Sequence, residues 1–206
     1  MYNFIKRLID ILLSSILLLI FFPIIIISSV LVKISSPGPI FYRAERAGLY
    51  GKNFLIIKLR TMYVGSDKGS GTTAFQDPRI VKYGTFLRNY KIDEMPQLIN
   101  VLIGDMSLVG PRPELLDYVK RYKGDEKKIM NVKPGITDYS SIHFFSQELW
   151  VGKKNAQKVF DKHVLHVKNS LRLKYVNEQS LFTDIKILIL TFINLLKKIF
   201  FKKKGV

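Results

Sequence analysis

Asp93 and Glu94 are adjacent carboxylates set between two arginines, Arg88 and Arg112, in the stretch RNYKIDEMPQLINVLIGDMSLVGPR. They stand just before a short apolar run, Leu98 to Leu102, and Pro96 falls where the first turn of a helix would be. Proline is tolerated there because the first N–H groups of a helix have no intrahelical partner. The spacing therefore predicts a dyad at or just inside a helix N-terminus. Such an end, with guanidinium groups nearby, suits an anionic ligand such as phosphate. Carboxylates in the same place need a cation or a reaction to justify them. A plainer reading stands beside this one: Asp before an apolar helical run is a favoured N-cap, and Glu in the first turn complements the dipole.

The composition narrows the chemistry. Lys plus Arg total 33 against 16 acidic residues in 206, a net charge of +17, which implies an anionic partner. The mean hydropathy of +0.12 is high for so charged a chain. Strong charge and strong apolarity together point to a membrane surface before nucleic acid. There is no cysteine, which excludes disulfides, zinc ribbons and thiol nucleophiles.

Ile11 to Val32 carries no charged residue. At ~1.5 Å per residue it is long enough for a hydrocarbon core ~30 Å thick. Two features count against a simple span. Pro23 in its middle removes a helical hydrogen bond and kinks the chain. Both flanks are basic, with Lys6 and Arg7 before and Lys33, Arg43, Arg46 and Lys52 after, so both ends favour the cytoplasm. A kinked, re-entrant helix that dips in and returns to the same face satisfies both constraints.

Between this segment and the dyad, Ser35-Ser36-Pro37-Gly38-Pro39 stops the helix, and Ile40 to Tyr42 and Phe54 to Leu59 read as short extended runs. Lys58 and Arg60 punctuate apolar residues. They are candidate phosphate-binding cations, although a solvated face explains such residues equally simply. Gly65 to Thr73 reads as a polar loop and lacks the Gly-Lys-Ser/Thr ending of a phosphate-cradling loop. Val81 to Arg88 reads as a helix leading to the dyad.

Four blocks occur in a specific order: SSPGPIFYRAERAG (35–48), KLRTM (58–62), IDEMPQLINVLIGDMSLVGPRP (92–113) and KPGIT (133–137). Together they resemble the bacterial sugar transferase family, the monotopic phosphoglycosyl transferases, over nearly the whole chain. The resemblance implies transfer of a sugar-1-phosphate from a UDP-sugar to undecaprenyl phosphate with release of UMP. That reaction begins surface glycan assembly at the cytoplasmic face of the bacterial inner membrane. It implies Asp93 as the nucleophile that forms a phosphosugar ester and Glu94 as the Mg²⁺ ligand and aid to proton removal. It also implies Arg88 and Arg112 as cations around the phosphates and Pro23 as the break of a re-entrant helix. The implied chemistry agrees with the residues: phosphoryl transfer needs positioning and charge neutralisation, and a carboxylate can attack phosphorus.

Downstream, Gly110-Pro111-Arg112-Pro113 reads as a stiff turn that aims Arg112, and Glu114 to Met130 as a charged, solvated helix. After KPGIT the chain departs from the commonest family pattern with Asp138-Tyr139-Ser140-Ser141-Ile142-His143, followed by an insertion-like stretch, Phe144 to Lys154. His163 and His166 sit one turn apart on what reads as a surface helix, with no third ligand in sight. Leu181 to Lys204 mixes large apolar residues with Lys186, Lys197, Lys198 and Lys202 to Lys204, and reads as an interfacial amphipathic helix reaching anionic lipids.

The expected architecture is α/β, mainly helical: a small membrane-seated globular domain with an N-terminal re-entrant helix (1–34) and a catalytic domain (35–206) that includes interfacial helix 181–204. The expected partners are a UDP-sugar, undecaprenyl phosphate and anionic lipids, with no nucleic acid, and a homo-oligomer stays open. A non-enzymatic basic membrane-surface adaptor is the competing reading. It explains the apolar segments but not the constellation of Asp93, Glu94 and Arg112. A nucleic-acid-binding protein fits the charge, yet no recognition motif for one occurs.

Overall fold

The computed structural model describes residues 1–66 and 72–200. Part of the expected loop at 65–73, and Lys202 to Lys204 of the expected interfacial helix, lie outside these residues. One long helix, α1 (Tyr2–Ser35), leads into a hairpin of β1 (Phe41–Ala47) and β2 (Asn53–Leu59). Helix α2 (Gly84–Asn89), a 3₁₀ turn at Ile92–Glu94, helix α3 (Gln97–Ile103) and strand β3 (Ser107–Val109) follow. Next come α4 (Leu116–Val119), a 3₁₀ segment at Gly124–Asn131, β4 (Gly135–Thr137) and α5 (Tyr139–His143). Then α6 (Gln147–Val151), α7 (Ala156–Val159), a π-helical turn at Phe160–Val164, α8 (Leu165–Glu178) and α9 (Leu181–Phe200) complete the described chain. The molecule is thus mainly helical with two small sheets.

β1 and β2 pair antiparallel from Phe41↔Leu59 to Ala47↔Asn53, so both extended runs form strands, the first longer than expected. β3 and β4 pair in parallel, Ser107↔Gly135 and Val109↔Thr137. This second pairing explains two of the sequence blocks. A Cβ on Gly135 would lie 2.1 Å from the Gly110 nitrogen, so glycine lets the Gly-Pro-Arg-Pro turn and the Lys-Pro-Gly-Ile-Thr strand close on each other.

The main core joins Ile56, Leu98, Val101, Met106, Leu108, Val109, Tyr175 and Ile187, with Leu17, Leu18 and Phe21 of α1 packed against it. A separate cluster joins Val32, near the end of α1, to Leu59 and Leu87. At the other end of α1, Arg7 donates to the Val101 and Leu102 carbonyls at 2.6 and 2.8 Å. Asp10 accepts from Ser107 Oγ and the Leu108 N–H, and Lys6 pairs with Asp184 at 2.7 Å. Both ends of α1 and its middle are therefore held by one globular body. By length and apolarity α1 could also cross a membrane, and its other face displays Leu12, Ile16, Leu19, Ile20, Ile27 and Val30.

Three sequence expectations change. The helix runs unbroken through Pro23, so proline does not interrupt it as expected. The helix expected at Val81–Arg88 begins only at Gly84, because the Val81 N–H is taken by the Thr61 carbonyl at 3.0 Å and Ile80 bridges to Met62. The continuous helix expected over Glu114 to Met130 is instead α4 and a 3₁₀ segment, divided at Gly124, whose φ of 53° no regular helix contains. α9 presents Thr183, Asp184 and Ile187 inward and leaves Phe182, Ile185, Ile189, Phe192 and Ile193 exposed, a one-sided pattern suited to an apolar surface.

Arg7 caps the carbonyls at the end of α3, those of Leu102 and of Val101, the latter also taken by the Gly104 N–H. Arg7→Ala is expected to lower stability by about 2 kcal/mol, the loss of charge-assisted hydrogen bonds. Amide exchange over residues 101–104 should speed up, read by hydrogen exchange in detergent. Unchanged exchange there would mean that α1 does not hold α3 through this contact.

Candidate active site

The dyad is presented by the 3₁₀ turn rather than by α3 itself. Lys91 enters the turn in the left-handed region, at φ 58° and ψ 19°, and Met95 and Pro96 carry the chain on into α3 with helical angles. A non-glycine residue held there marks a turn whose surroundings fix it. Asp93 is only 5% exposed, and its Oδ1 has no hydrogen-bond partner. Gln97, at the start of α3, is fully buried with neither end of its amide partnered.

The two carboxylates sit in opposite states. Burial and the neighbouring Glu94 charge push the Asp93 carboxyl above its ordinary range, against the pull of Lys58, Arg88 and Lys91. Burial would raise Glu94 as well, but Arg112, Lys58 and Lys91 outweigh it and hold that carboxyl well below its usual range. Glu94 Oε1 accepts from Lys58 Nζ at 3.1 Å and from Arg112 Nη2, so one oxygen ties β2 to the turn after β3. Burial lowers the Lys58 ammonium, and the Glu94 carboxylate works against that shift.

Arg112 is aimed by more than proline. Its Nη1 donates to the Ile136 carbonyl at 3.1 Å, and its backbone N–H donates to Asp138 Oδ2 at 3.4 Å. Asp138 is fully buried and caps α5 by accepting from the Ser141 N–H at 2.7 Å. Glu114, two residues beyond Arg112, pairs with buried Arg172 of α8 at 2.7 Å. That ion pair pulls the Glu114 carboxyl down to about 2 despite burial. Arg88 of α2 donates to Thr73 Oγ1 at 2.8 Å and to Thr61 Oγ1 at 3.4 Å.

The structure thus brings together Lys58, Arg88, Arg112, Asp93 and Glu94 of the expected site, and adds Lys91. It does not bring Arg60. That side chain is 4% exposed and donates to the Pro39 carbonyl at 2.6 Å, Ser36 Oγ at 2.6 Å and the Ser36 carbonyl at 2.8 Å. Arg60 is a clamp on the chain leaving α1, a correction to its expected phosphate role. His163 and His166 are both exposed, and among the described residues no three or more metal-ligating side chains cluster.

Four cations around two carboxylates leave a surplus of positive charge suited to a diphosphate. A metal ion fits the same place in one mode. Asp93 Oδ1 is orphaned, and both ion pairs of Glu94 fall on Oε1. The protein offers carboxylate oxygens but no complete cage, which matches Mg²⁺ bound by one or two carboxylates plus substrate phosphates.

Lys91, Asp138, Gln97 and the Glu114–Arg172 pair were not among the expected site residues. The Asp138-Tyr139-Ser140-Ser141 run carries a readable N-cap signal; Lys91 and Arg172 carry none, since a conformation and a long-range ion pair leave no local pattern.

Comparison with known proteins agrees with this arrangement. A family model described as "Bacterial sugar transferase" matches residues 1–198. The chain is 39% identical over 190 residues to a UDP-glucose:undecaprenyl-phosphate glucose-1-phosphate transferase of Escherichia coli (strain K12), covering 90% of this chain and 39% of the relative. It is 38% identical over 186 residues to the uncharacterized sugar transferase EpsL of Bacillus subtilis (strain 168), covering 90% of this chain and 84% of that one. A UDP-N-acetylgalactosamine-undecaprenyl-phosphate N-acetylgalactosaminephosphotransferase of Aeromonas hydrophila is 38% identical over 145 residues, 68% of this chain and 34% of the relative. The chain therefore spans well under half the length of the first and third of these proteins.

Arg60→Gln is expected to lower stability by about 3 kcal/mol, because three buried hydrogen bonds are lost. The rise in melting temperature caused by added pyrophosphate should keep its size in this variant. Loss of that ligand-induced rise would return Arg60 to the anion site.

Proposed function

Because the chain belongs to the bacterial sugar transferase family, we propose that it transfers a sugar-1-phosphate from a UDP-sugar to undecaprenyl phosphate at the cytoplasmic face of a bacterial inner membrane. The observation that carries this reading is the division of labour in the dyad. Glu94 is locked between Lys58 and Arg112, whereas Asp93 is buried, unpaired at Oδ1 and raised in basicity. Two carboxylates in contrasting environments take different roles.

In the first half-reaction Asp93 Oδ1 attacks the phosphorus that carries the sugar. The bond to the bridging oxygen breaks, UMP leaves with that oxygen, and the sugar-phosphate remains on Asp93 as an acyl phosphate ester. In the second, a phosphate oxygen of the lipid attacks the same phosphorus and frees the Asp93 carboxylate. Lys58, Arg88 and Arg112 neutralise the phosphoryl oxygens, and the Glu94 bridge fixes where two of these cations stand. Glu94, together with substrate phosphates, would hold Mg²⁺, which when bound supplies further neutralisation of the diphosphate.

The attachment of both ends of α1 to one body supports the re-entrant arrangement over a span that carries the N-terminus to the far side. The basic flanks of α1 and the exposed apolar faces of α1 and α9 support seating on an anionic leaflet. A non-enzymatic adaptor would need none of the half-buried cations gathered around Asp93.

Incubation with undecaprenyl phosphate, Mg²⁺ and a panel of UDP-sugars should release UMP with at least one donor, and a chelator should stop it. No release from any donor would contradict the reading. The acid limb of the pH–rate profile should follow ionisation of Asp93, because only the carboxylate attacks. Lys91→Met removes a cation that favours the ionised form, so Asp93 should titrate higher and the acid limb should move to higher pH. A shift to lower pH would show that another group governs that limb.

A further inference from the structure

We propose that Lys91 and Lys198, gathered around the ring of Phe145, seat the phosphate monoester head of the lipid acceptor; this rests on the transfer reaction proposed above. Lys91 Nζ lies 5.5 Å and Lys198 Nζ 5.4 Å from the Phe145 ring centroid, so two ammonium groups from distant parts of the chain share one aromatic ring. Both distances fall within the ~6 Å over which a ring attracts a cation. The ring gathers the pair, and a phosphate beside it would take charge-assisted bonds from both lysines, which are the strong kind.

The position of the pair fits this ligand. Lys91 stands two residues before Asp93 and acts electrostatically on both carboxylates, so an anion held there is beside the nucleophile. Lys198 lies in the last turns of α9 and also donates to Ser146 Oγ at 3.0 Å. The outward face of α9 exposes Phe192 and Ile193, and α6, just beyond Phe145, exposes Leu149 and Trp150. Exposed apolar residues thus lie on the two elements, α6 and α9, that adjoin or carry Phe145 and Lys198. A phosphate on a long hydrocarbon chain has that combination of head and tail, and a soluble sugar nucleotide does not. The donor has its own cations in Lys58, Arg88 and Arg112. Phe145 lies in the stretch that follows the chain's departure from the commonest family pattern, so this seat is a property of this chain's own residues.

Trp150 is the sole tryptophan. Its ring lies 5.2 Å from that of Phe144, so its fluorescence reports on the segment that carries Phe145. The test is titration of the whole protein in detergent micelles with farnesyl phosphate, farnesol and inorganic phosphate. Farnesyl phosphate is expected to give a saturable change in Trp150 emission, and farnesol none. Inorganic phosphate should act only at concentrations higher by about a hundredfold, since it lacks the apolar chain. Lys198→Gln should weaken farnesyl phosphate binding about tenfold, and Lys198→Arg should largely restore it. Should Lys198→Gln unfold, as judged by circular dichroism, Phe145→Leu serves in its place with the same expected weakening.

Absence of a saturable response, or wild-type affinity in the folded variant, overturns the proposal. Inorganic phosphate binding as tightly as farnesyl phosphate overturns it in favour of a free-phosphate site. The wild-type UMP assay separates the two readings. UMP release without farnesyl phosphate binding sinks only the lipid seat, and failure of UMP release with every donor sinks the transfer reaction itself.

Discussion

Glu94 Oε1 accepts from Lys58 and Arg112 together, and the rest of the site depends on this half-buried bridge. Lys58 comes from β2, Glu94 from the turn before α3, and Arg112 from the turn after β3. Three segments that share little local structure are thereby brought to one carboxylate oxygen. A buried ion pair is weak evidence for stability, because removing charges from water offsets much of the attraction. Its value here is positional. Removing Glu94 would leave two half-buried cations without their shared carboxylate, so it is Glu94 that lets Lys58 and Arg112 stand together. The consequence falls on Asp93: with its neighbour already holding Lys58 and Arg112, Asp93 keeps a buried oxygen without a hydrogen-bond partner in a field of cations.

The membrane helix belongs to the same construction. Arg7 and Asp10 bind the end of α3 and the start of β3, and Val32 packs on Leu59 and Leu87. α3 follows the dyad, and Leu59 is next to Lys58. The long apolar helix thus buttresses the elements that carry the dyad and its cations. Arg60 serves the same end by clamping Ser36 and Pro39 where the chain leaves α1. In the proposed reaction, which joins a soluble donor to a lipid phosphate, this coupling would set the site at a fixed depth relative to the bilayer.

Much of this was legible in local sequence because the signals are local. Alternating and apolar runs gave the hairpin and both long helices, and Pro96 marked the start of α3. The placing of Asp93, Glu94, Arg88 and Arg112 near one another follows from motifs close together in the chain, and their expected roles came from the family resemblance. What was not legible depends on conformation or distance along the chain. Arg60 looked like Lys58 in sequence, two residues away, yet Lys58 lies inside β2 and Arg60 just past its end, and their side chains have different partners. Gly124 divides a stretch whose charge pattern resembles a helix. Pro23 was expected to break α1, but the helix continues through it. The Glu114–Arg172 pair joins residues 58 apart, and nothing near either residue announces the other.

The central claim is that Asp93 is a covalent nucleophile, made competent by the pairing of Glu94 with Lys58 and Arg112. Intact-protein mass spectrometry after incubation with a turned-over UDP-sugar and Mg²⁺, without lipid acceptor, tests it most directly. The account predicts one added sugar-phosphate per chain, placed on Asp93 by peptide mapping and absent in Asp93→Asn. Steady-state turnover with no adduct on Asp93 would contradict it, and would make the chemistry a direct transfer between two substrates bound at once.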